Sequence, residues 1–481
     1  MISMKNLLLS IVAFGAIFSA NGQLRLASLF GDNMVIQQQC DAAIWGEASP
    51  RAVVEITASW SDKPIRTKAD KGGEWRTTIP TPVAGGAYTI AVSSGEQRIT
   101  LDNVLVGEVW LCSGQSNMFM KMRIANNRVT NASVDRPIRV CSVPRVSSLT
   151  PQDECDLVWA QNDQKRVDET SAVAYFFADY LQSVLDVPVG IIVSAWGGTP
   201  IEAWMDQAAL RKFGDQVSLA HLDSAVGESE VEVSQLWGTV LYNAMIEPLV
   251  PYTIKGWLWY QGESNAHEPE LYEYLLPAYA QMMRQKWGDK KMPLYYVQIA
   301  PFDYNTTPLE VAVADRESEG AQIREAQSAA LRVIPYSGMV STLDLGLEKN
   351  IHPRNKREVG VRLAHHALVN DYSIVLIEPR SPRYKSHRVE GDRVFVTFET
   401  WRSTIADVDG DILGFELAGA DQRFYAASAR LVDGCVVELS CGDVPQPHAV
   451  RYAYSNFTTA NLHNSDGIPV DQFRSDDWAV K

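Results

Sequence analysis

Residues 107–118 read GEVWLCSGQSNM, and this stretch decides the interpretation of the chain. An apolar run, VWLC at positions 109–112, leads directly into the polar turn SGQSN. Continuous apolar character predicts a strand that is buried on both faces. The glycine-containing turn after it can hold Ser116 clear of the backbone and close to amides, as a nucleophilic serine requires. An ordinary strand-to-loop turn is the alternative, because the Gly-x-Ser-x-Gly spacing of the common hydrolase turn is absent.

The composition bounds the class of protein. A length of 481 residues exceeds what one ordinary hydrophobic core spans, so two or three domains are expected. With 46% hydrophobic and 21% charged residues, the chain has the composition of a soluble globular protein. Its net charge of -15 argues against nucleic acid or an anionic membrane as the main partner. The oligomeric state cannot be predicted from this sequence.

The N-terminus has the layout of a targeting segment. Lys5 precedes an apolar run over residues 7–18, which is followed by the small residues Ser19 and Ala20. This order is typical of a secretory signal peptide, which we predict over residues 1–22. A membrane anchor is the alternative, but the run is shorter than the roughly 20 apolar residues that a span needs. We therefore predict an exported protein, periplasmic or extracellular, with no membrane span.

After the predicted signal peptide, the sequence pattern divides the chain into three parts. Residues 23–104 contain short strand-like runs separated by Gly, Pro, Asp and Ser, which predicts an N-terminal β-sandwich domain. Residues 105–375 alternate strands with helices, which favours an α/β domain on a doubly wound parallel sheet. Residues 376–481 return to strand-like runs and predict a C-terminal β-rich domain. Ligands of such a parallel sheet bind beyond the carboxyl ends of its strands.

Five strands and four helices are predicted within the α/β part. Apolar runs predict strands at residues 104–112, 187–194, 254–260, 293–299 and 338–343. Helical periodicity covers residues 170–185, 271–287, 321–333 and 356–368. In the last of these helices, the pattern predicts that Lys356, Arg357 and Arg362 face water. Insertions at about residues 119–168 and 200–250 are expected to build walls of the site.

Six cysteines are present, and an even count in an exported protein permits disulfides. Cys112 lies in the predicted buried strand and is expected to be a small apolar core residue. The candidate local pairs are Cys141 with Cys155 and Cys435 with Cys441. No two cysteines have the spacing of a zinc knuckle, and the histidines do not cluster beside them. Neither a metal nor another cofactor is therefore predicted.

Two further polar turns follow predicted apolar strands. Residues 194–199 read SAWGGT, whose paired glycines expose backbone amides of the kind an oxyanion hole needs. Residues 257–265 read WLWYQGESN, in which Gln261 or Asn265 can supply a side-chain N–H to an oxyanion. Taken singly, each turn also fits a simple strand end whose polar groups satisfy the loop backbone.

A fourth block, NIHPRNK at residues 350–356, leads into the last predicted helix. A serine hydroxyl is a poor nucleophile until a base removes its proton. His352 is the candidate base, because imidazole titrates near neutral pH and no other of the eight histidines stands in such a motif. His365 and His366 fall within the following helix and are expected to be structural or exposed.

Together, GQSNM, WGGT, WYQGES and IHPRNK resemble the four-block pattern of the SGNH hydrolases, and specifically the sialate O-acetylesterase-like carbohydrate esterases. The resemblance covers nearly the whole chain after the signal peptide. It implies a flavodoxin-like α/β core and a serine esterase that removes acetyl groups from sugar hydroxyls. It makes Ser116 the nucleophile and His352 the base. The implied oxyanion hole consists of the Ser116 and Gly198 amides and the Gln261 side chain, with Asn265 as the less favoured donor.

One position departs from the family pattern, because many relatives have aspartate where this chain has Asn350. A carboxylate normally orients the histidine and stabilises the imidazolium, whereas an amide can orient it without supplying charge. Three arrangements remain open: Asn350 orients a Ser-His dyad, a backbone carbonyl does so, or Asp344 or Glu348 reaches the histidine. A dyad-like arrangement with Asn350 as the third catalytic residue is favoured.

The substrate pocket is expected to be aromatic, because sugar C–H faces pack well on aromatic rings. The aromatic candidates in or beside the blocks are Trp196, Trp204, Trp259 and Tyr260. The arginines that can pair with a sugar carboxylate are Arg123, Arg128 and Arg354. We take Trp196 and Arg123 as the substrate-binding residues.

Two functional hypotheses follow. The first is an exported carbohydrate O-acetylesterase whose partner is an acetylated sugar or glycan, with sialic acid esters favoured over acetylated xylan or other glycans. The second is a sugar-binding protein on the same fold that has lost catalysis, which Asn350 and the two β-rich regions suggest. The presence of both Ser116 and His352 favours the enzyme.

Overall fold

A computed structural model describes residues 22–223, 233–304 and 318–479 of the chain. The predicted signal peptide, residues 1–22, lies outside the described residues except for its last position. Within the three described ranges, no helix combines the length and the apolar character that crossing a bilayer requires.

The N-terminal region is built from eight strands. Their bounds are β1 (Arg25–Leu26), β2 (Val35–Gln37), β3 (Asp41–Glu47), β4 (Val53–Ala58), β5 (Ile65–Lys68), β6 (Glu74–Pro80), β7 (Gly85–Ser94) and β8 (Gln97–Gly114). Strands β1, β3 and β6 form an antiparallel sheet, while β4 pairs with β5 and β7, and β7 pairs with β8. Every second residue of β4 is buried, as expected for a strand with one face on the core.

Strand β8 joins this region to the centre of the molecule. Its first half pairs antiparallel with β7, whereas its second half lies parallel to strands of the central sheet. Because β8 is continuous over 18 residues, the division expected after residue 104 falls inside it. All residues from position 104 to 114 are buried, which confirms the prediction of a strand covered on both faces.

Six further strands complete the central sheet. They are β9 (Ile138–Ser142), β10 (Trp159–Gln161), β11 (Val189–Ala195), β12 (Gly256–Tyr260), β13 (Leu294–Val297) and β14 (Ser337–Val340). Their order is β10-β9-β11-β8-β12-β13-β14, parallel throughout except for the antiparallel edge strand β10. All five predicted strands are present, and β9 and β10 come from the insertion at residues 119–168.

The described part of this region also contains eight α-helices. They are α1 (Ser116–Phe119), α2 (Gln164–Glu169), α3 (Ala172–Leu185), α4 (Gln207–Leu210), α5 (Ala220–Asp223), α6 (Pro269–Trp287), α7 (Glu319–Val333) and α8 (Lys356–Asp371). Short 3-10 turns lie at Met122–Ile124, Ile201–Trp204, Arg211–Gln216, Glu247–Leu249 and Glu263–Asn265, and a π-helical turn at Tyr242–Ile246. The four predicted helices are confirmed as α3, α6, α7 and α8.

The helices cover both faces of the sheet. Helices α3 and α8 pack together and share a core cluster with Leu258 and Tyr260 of β12. Helices α6 and α7 pack together in a different cluster with Trp257 and Trp259 of the same strand. Because successive strand residues point to opposite faces, the two helix pairs lie on opposite sides of the sheet.

Helix α8 differs from its predicted orientation. Lys356 and Arg362, which were expected to face water, are 1% and 6% exposed, and only Arg357 of the three is exposed. Arg362 is buried against Asp344, to which it donates two hydrogen bonds of 2.8 and 2.6 Å. Lys356 is buried against Asn117. Each cation has a specific partner from a distant part of the chain, which helical periodicity does not reveal.

The C-terminal region forms two four-stranded sheets. Its strands are β15 (Arg383–Glu390), β16 (Arg393–Glu399), β17 (Phe415–Ala418), β18 (Phe424–Ala426), β19 (Ser428–Asp433), β20 (Val436–Ser440), β21 (Ala449–Tyr452) and β22 (Phe473–Arg474). The sheet orders are β15-β16-β20-β19 and β18-β17-β21-β22. Arg324 of α7, fully buried, ties this region to the α/β part by donating to Gln472 Oε1 at 2.6 Å and to the Ser455 carbonyl.

All six cysteines are free thiols, so both candidate disulfide pairs are wrong in this structure. Cys435 and Cys441 stand on either side of the five-residue strand β20. An extended segment of that length separates their Cα atoms by about 20 Å, far beyond the roughly 7 Å that a disulfide spans. Cys112 is fully buried in the core, as predicted, and burial raises the pKa of its thiol.

Candidate active site

The first three polar turns meet because their strands are neighbours in the sheet. Gly114 at the end of β8 is in register with Ala195 of β11 on one side and with Tyr260 of β12 on the other. Parallel strands bring their carboxyl ends to one edge, so the SGQSN, WGGT and QGESN turns emerge side by side. Gly114 has φ +141°, and a Cβ there would lie 2.1 Å from the Tyr260 carbonyl oxygen. Only glycine therefore fits at this close approach of two strands.

Ser116 and His352 lie in direct contact. Ser116 is the first residue of α1, two positions after the end of β8, and His352 lies in the loop that precedes α8. The Ser116 Oγ is 2.8 Å from His352 Nε2, which is the hydrogen-bonding distance that a serine nucleophile and a general base would require. The two residues are separated by 236 positions in the chain, and the fold alone brings them together.

The backbone amides around Ser116 provide two open donors. Gly197 approaches closely, since a Cβ on it would lie 3.2 Å from Ser116 Cβ. Gly198 adopts φ +75° and has open space where a Cβ would stand. In the described part of the chain, the N–H groups of Ser116 and Gly198 have no hydrogen-bond acceptor. Unsatisfied amides beside a serine Oγ are what a developing oxyanion requires.

The two candidate side-chain donors differ in their hydrogen bonds. Gln261 is fully buried, and its Nε2 already donates to the Thr199 carbonyl at 3.2 Å and to Asn265 Oδ1 at 2.7 Å. Asn265 borders the cavity next to Ser116, and its Nδ2 donates one hydrogen bond of 2.9 Å to Glu202. An amide nitrogen carries two hydrogens. The geometry therefore favours Asn265 over Gln261, the reverse of the sequence-based preference.

The candidates for orienting His352 are Asn350, a backbone carbonyl, and Asp344 or Glu348. Asn350 Oδ1 accepts the backbone N–H of His352 at 2.9 Å, so it braces the loop and does not bond the imidazole. The carboxylate of Asp344 is held by Arg362, and Glu348 is exposed. No side chain or carbonyl of the described residues hydrogen-bonds His352 Nδ1. Within these ranges, Ser116 and His352 form a dyad without a carboxylate.

The surroundings of His352 determine its pKa. Burial lowers the pKa of His352, and the nearby positive charge of Lys356 lowers it further. No carboxylate of the described residues offsets either cause. The imidazole is therefore neutral, and able to accept the serine proton, down to a lower pH than an ordinary histidine.

A cavity of about 1410 Å³ opens above the dyad. Its outer wall comes from the insertion at residues 200–250, including Trp237, whose ring stacks on His221 at a centroid distance of 5.2 Å. Five carboxylates line the cavity, from Glu202, Asp215, Glu263, Glu268 and Glu319. No lysine or arginine of the described residues lines it. The cavity is therefore acidic, with an aromatic surface on one side.

Three of the four aromatic residues predicted for the pocket lie in the core. Trp204, Trp259 and Tyr260 are at most 1% exposed and belong to the core. Trp196 is half-buried beside the Arg145 guanidinium and does not line the cavity of the dyad. Arg123 does not line it either, because its guanidinium is bound to Glu169 at 2.8 Å. Trp237, which the sequence analysis missed, takes the expected aromatic position, and no motif in its insertion marks it.

Comparison with known proteins identifies the family. Residues 106–369 match the model of the family described as carbohydrate esterase, sialic acid-specific acetylesterase. The human sialate O-acetylesterase is 30% identical over 72% of this chain and 70% of its own length. The mouse sialate O-acetylesterase is 29% identical over 72% of this chain and 73% of its own.

A solved structure extends the likeness to almost the whole chain. The crystal structure of a carbohydrate acetylesterase from Xanthomonas citri superposes with a TM-score of 0.83 at 34% identity, covering 95% of this chain and all of the other. The contact between Ser116 and His352, and the convergence of three strand ends beside it, agree with these matches. The chain belongs to the sialate O-acetylesterase family of carbohydrate esterases, which are carboxylic ester hydrolases.

Proposed function

We propose that this protein hydrolyses O-acetyl esters on sugar hydroxyls through an acetyl-enzyme formed on Ser116. The single observation that carries the proposal is the 2.8 Å contact between Ser116 Oγ and His352 Nε2 at the floor of an open cavity. A non-catalytic sugar-binding protein would have no need to keep a nucleophile and a base at bonding distance. The names of the relatives indicate that the acyl group is acetyl and that the leaving group is a sugar hydroxyl.

The reaction proceeds in two half-reactions at these atoms. His352 Nε2 takes the proton of Ser116 as its Oγ attacks the acetyl carbonyl, and the carbonyl oxygen becomes an oxyanion. The amides of Ser116 and Gly198 and the free N–H of Asn265 donate to that oxyanion. Collapse breaks the ester bond, and His352 returns the proton to the departing sugar oxygen. Water, activated by the same imidazole, then releases acetate from Ser116.

Two substrate classes are in contention. The relatives named sialate O-acetylesterase favour acetyl esters of sialic acid. The charge of the cavity favours a second candidate, acetylated neutral glycans such as xylan, because five carboxylates line the cavity and no lysine or arginine of the described residues does. A sugar carboxylate placed there meets like charge, whereas neutral hydroxyls find acceptors.

We also propose that the protein is exported and that its central sheet has a flavodoxin-like topology. The apolar N-terminal run supports a signal peptide and a periplasmic or extracellular site of action, where acetylated glycans are accessible. The parallel strand order β11-β8-β12-β13-β14, with helix pairs on both faces, supports a doubly wound, flavodoxin-like core to which β9 and β10 are added.

Acetate release from matched substrates tests the proposal. The purified protein is incubated with p-nitrophenyl acetate, with acetylated sialosides and with acetylated xylan, and Ser116→Ala serves as the control. Hydrolysis of p-nitrophenyl acetate with release from at least one sugar class is expected, and none from the variant. Failure on every acetyl ester would contradict the esterase, and the ratio of the two sugar rates decides the substrate class.

A further inference from the structure

A buried cation lies directly behind the dyad. Lys356, the first residue of α8, is 1% exposed, and its Nζ donates to Asn117 Oδ1 at 2.6 Å. The same ammonium lies 5.1 Å from the centroid of the Tyr260 ring, within cation–π range. Burying a lysine is unfavourable unless its charge is compensated, so this placement requires a reason. The mechanism proposed above makes no use of it.

Asn117 connects this cation to both halves of the dyad. Its Nδ2 donates to Glu263 Oε1 at 2.6 Å and to the carbonyl of Ile351 at 3.1 Å. Asn117 is the neighbour of Ser116, and Ile351 is the neighbour of His352. A single fully buried amide therefore links the nucleophile turn, the loop of the base, the third block through Glu263 and the start of α8.

The charges of the network are opposite but are not in direct contact. Glu263 is 9% exposed, and its bonded oxygen reaches Lys356 only through the Asn117 amide. Removing one member of such a buried pair leaves an uncompensated charge, whereas removing both is often tolerated. A network of this kind contributes little to stability, so its position next to the reacting atoms points to a role in the reaction.

We propose that Lys356, Asn117 and Glu263 are positioning residues that fix the Ser116 turn against the His352 loop and place a positive charge behind the base. This inference rests on the proposed esterase function. Because no carboxylate of the described residues holds the imidazole, the loop of the base needs another anchor, and the Asn117 amide provides it through Ile351. The Lys356 charge acts on the base in the sense opposite to that of a triad carboxylate, because a positive charge disfavours the imidazolium.

The titration behaviour supports this division of roles. Burial lowers the pKa of Lys356 to about 7, and Glu263 opposes that shift. Burial raises the pKa of Glu263, although Asn117 and Lys356 counteract the effect. Among the described residues, the other ionisable groups that interact with Glu263 are Tyr260, Tyr272 and Tyr304, and burial raises the pKa of all three phenols so that they stay neutral. Below about pH 7 Lys356 carries its charge, which is the range in which His352 titrates.

The test compares Lys356→Met with Lys349→Met. Lys349 is an exposed lysine on the same loop, so its loss changes the net charge equally without touching the network. In Lys356→Met, the pKa of His352 should rise because a nearby positive charge is removed, and the acid limb of kcat/KM should move to higher pH. We expect kcat to fall more than KM rises, and Lys349→Met to match the wild type. A uniform loss at all pH values, with an unmoved acid limb, would mean a merely structural role and overturn the proposal.

A double variant and an NMR measurement complete the test. If Lys356→Met fails to fold because Glu263 is left unpaired, the double variant Lys356→Met/Glu263→Gln removes both charges and should fold and show the same shift. The pKa of His352 is also read by NMR of labelled imidazoles, with its resonance identified by its absence in His352→Gln. The NMR shift does not depend on turnover, so an inactive protein with the expected shift refutes only the proposed function. An unshifted resonance refutes the positioning network.

Discussion

The replacement Asp344→Asn separates the dyad from a hidden triad. Asp344 binds Arg362 through two hydrogen bonds and does not reach His352. The asparagine still accepts one of these bonds but loses the charge. The Arg362 side chain is 7% exposed and that of Asp344 is 38% exposed, so solvent screens part of the interaction. We expect a loss of about 1–2 kcal/mol of folding free energy, seen as a lower melting temperature.

The same replacement should leave catalysis almost intact. Loss of a triad carboxylate costs about 10⁴-fold in kcat, because the imidazole loses its orientation and its countercharge. Within the described ranges the dyad has no such group to lose, so kcat/KM of Asp344→Asn with p-nitrophenyl acetate should stay near the wild-type value at a temperature where both proteins are folded. Glu348→Gln, an exposed carboxylate on the same loop, is the matched control and should change neither quantity. A drop approaching 10⁴-fold in Asp344→Asn with an unchanged melting temperature would refute the dyad.

Four further replacements test the other parts of the site. Asn265→Ala should lower kcat by about 10²- to 10³-fold through loss of an oxyanion donor, and a larger loss in Gln261→Ala would show that the donor is misassigned. Trp237→Ala should raise KM for an acetylated glycan and leave KM for p-nitrophenyl acetate unchanged, whereas equal changes would exclude sugar stacking. Asn350→Asp keeps the bond to the His352 amide and adds a negative charge, so the pKa of His352 and the acid limb of kcat/KM should rise; a limb that stays fixed or falls would contradict this placement.

The sequence predicts the framework well because the framework depends on local patterns. Apolar runs and helical periodicity identify five central strands and four helices. The convergence of the first three blocks follows from a general property of parallel sheets, whose carboxyl ends share one edge. The pairing of Ser116 with His352 follows from the chemistry of serine activation, which requires a base within reach.

The remaining features depend on contacts between distant parts of the chain. Lys356 looks like a solvent-facing residue on a helical wheel, yet its partner Asn117 is 239 positions away. Asp344 looks like a candidate third catalytic residue until Arg362 of α8 is seen to bind it. Aromatic residues next to a motif can equally belong to the core, as Trp204 does, and only their burial separates the two cases.

The measurement that tests the central claim most directly is covalent labelling of the nucleophile. A fluorescent organophosphonate is reacted with the wild-type protein, and the modified peptide is identified by mass spectrometry while acetate release from an acetylated glycan is followed in parallel. The account predicts a single adduct on Ser116, loss of acetate release in step with labelling, and neither labelling nor release in Ser116→Ala. An adduct on another serine, or full acetate release by Ser116→Ala, would contradict it.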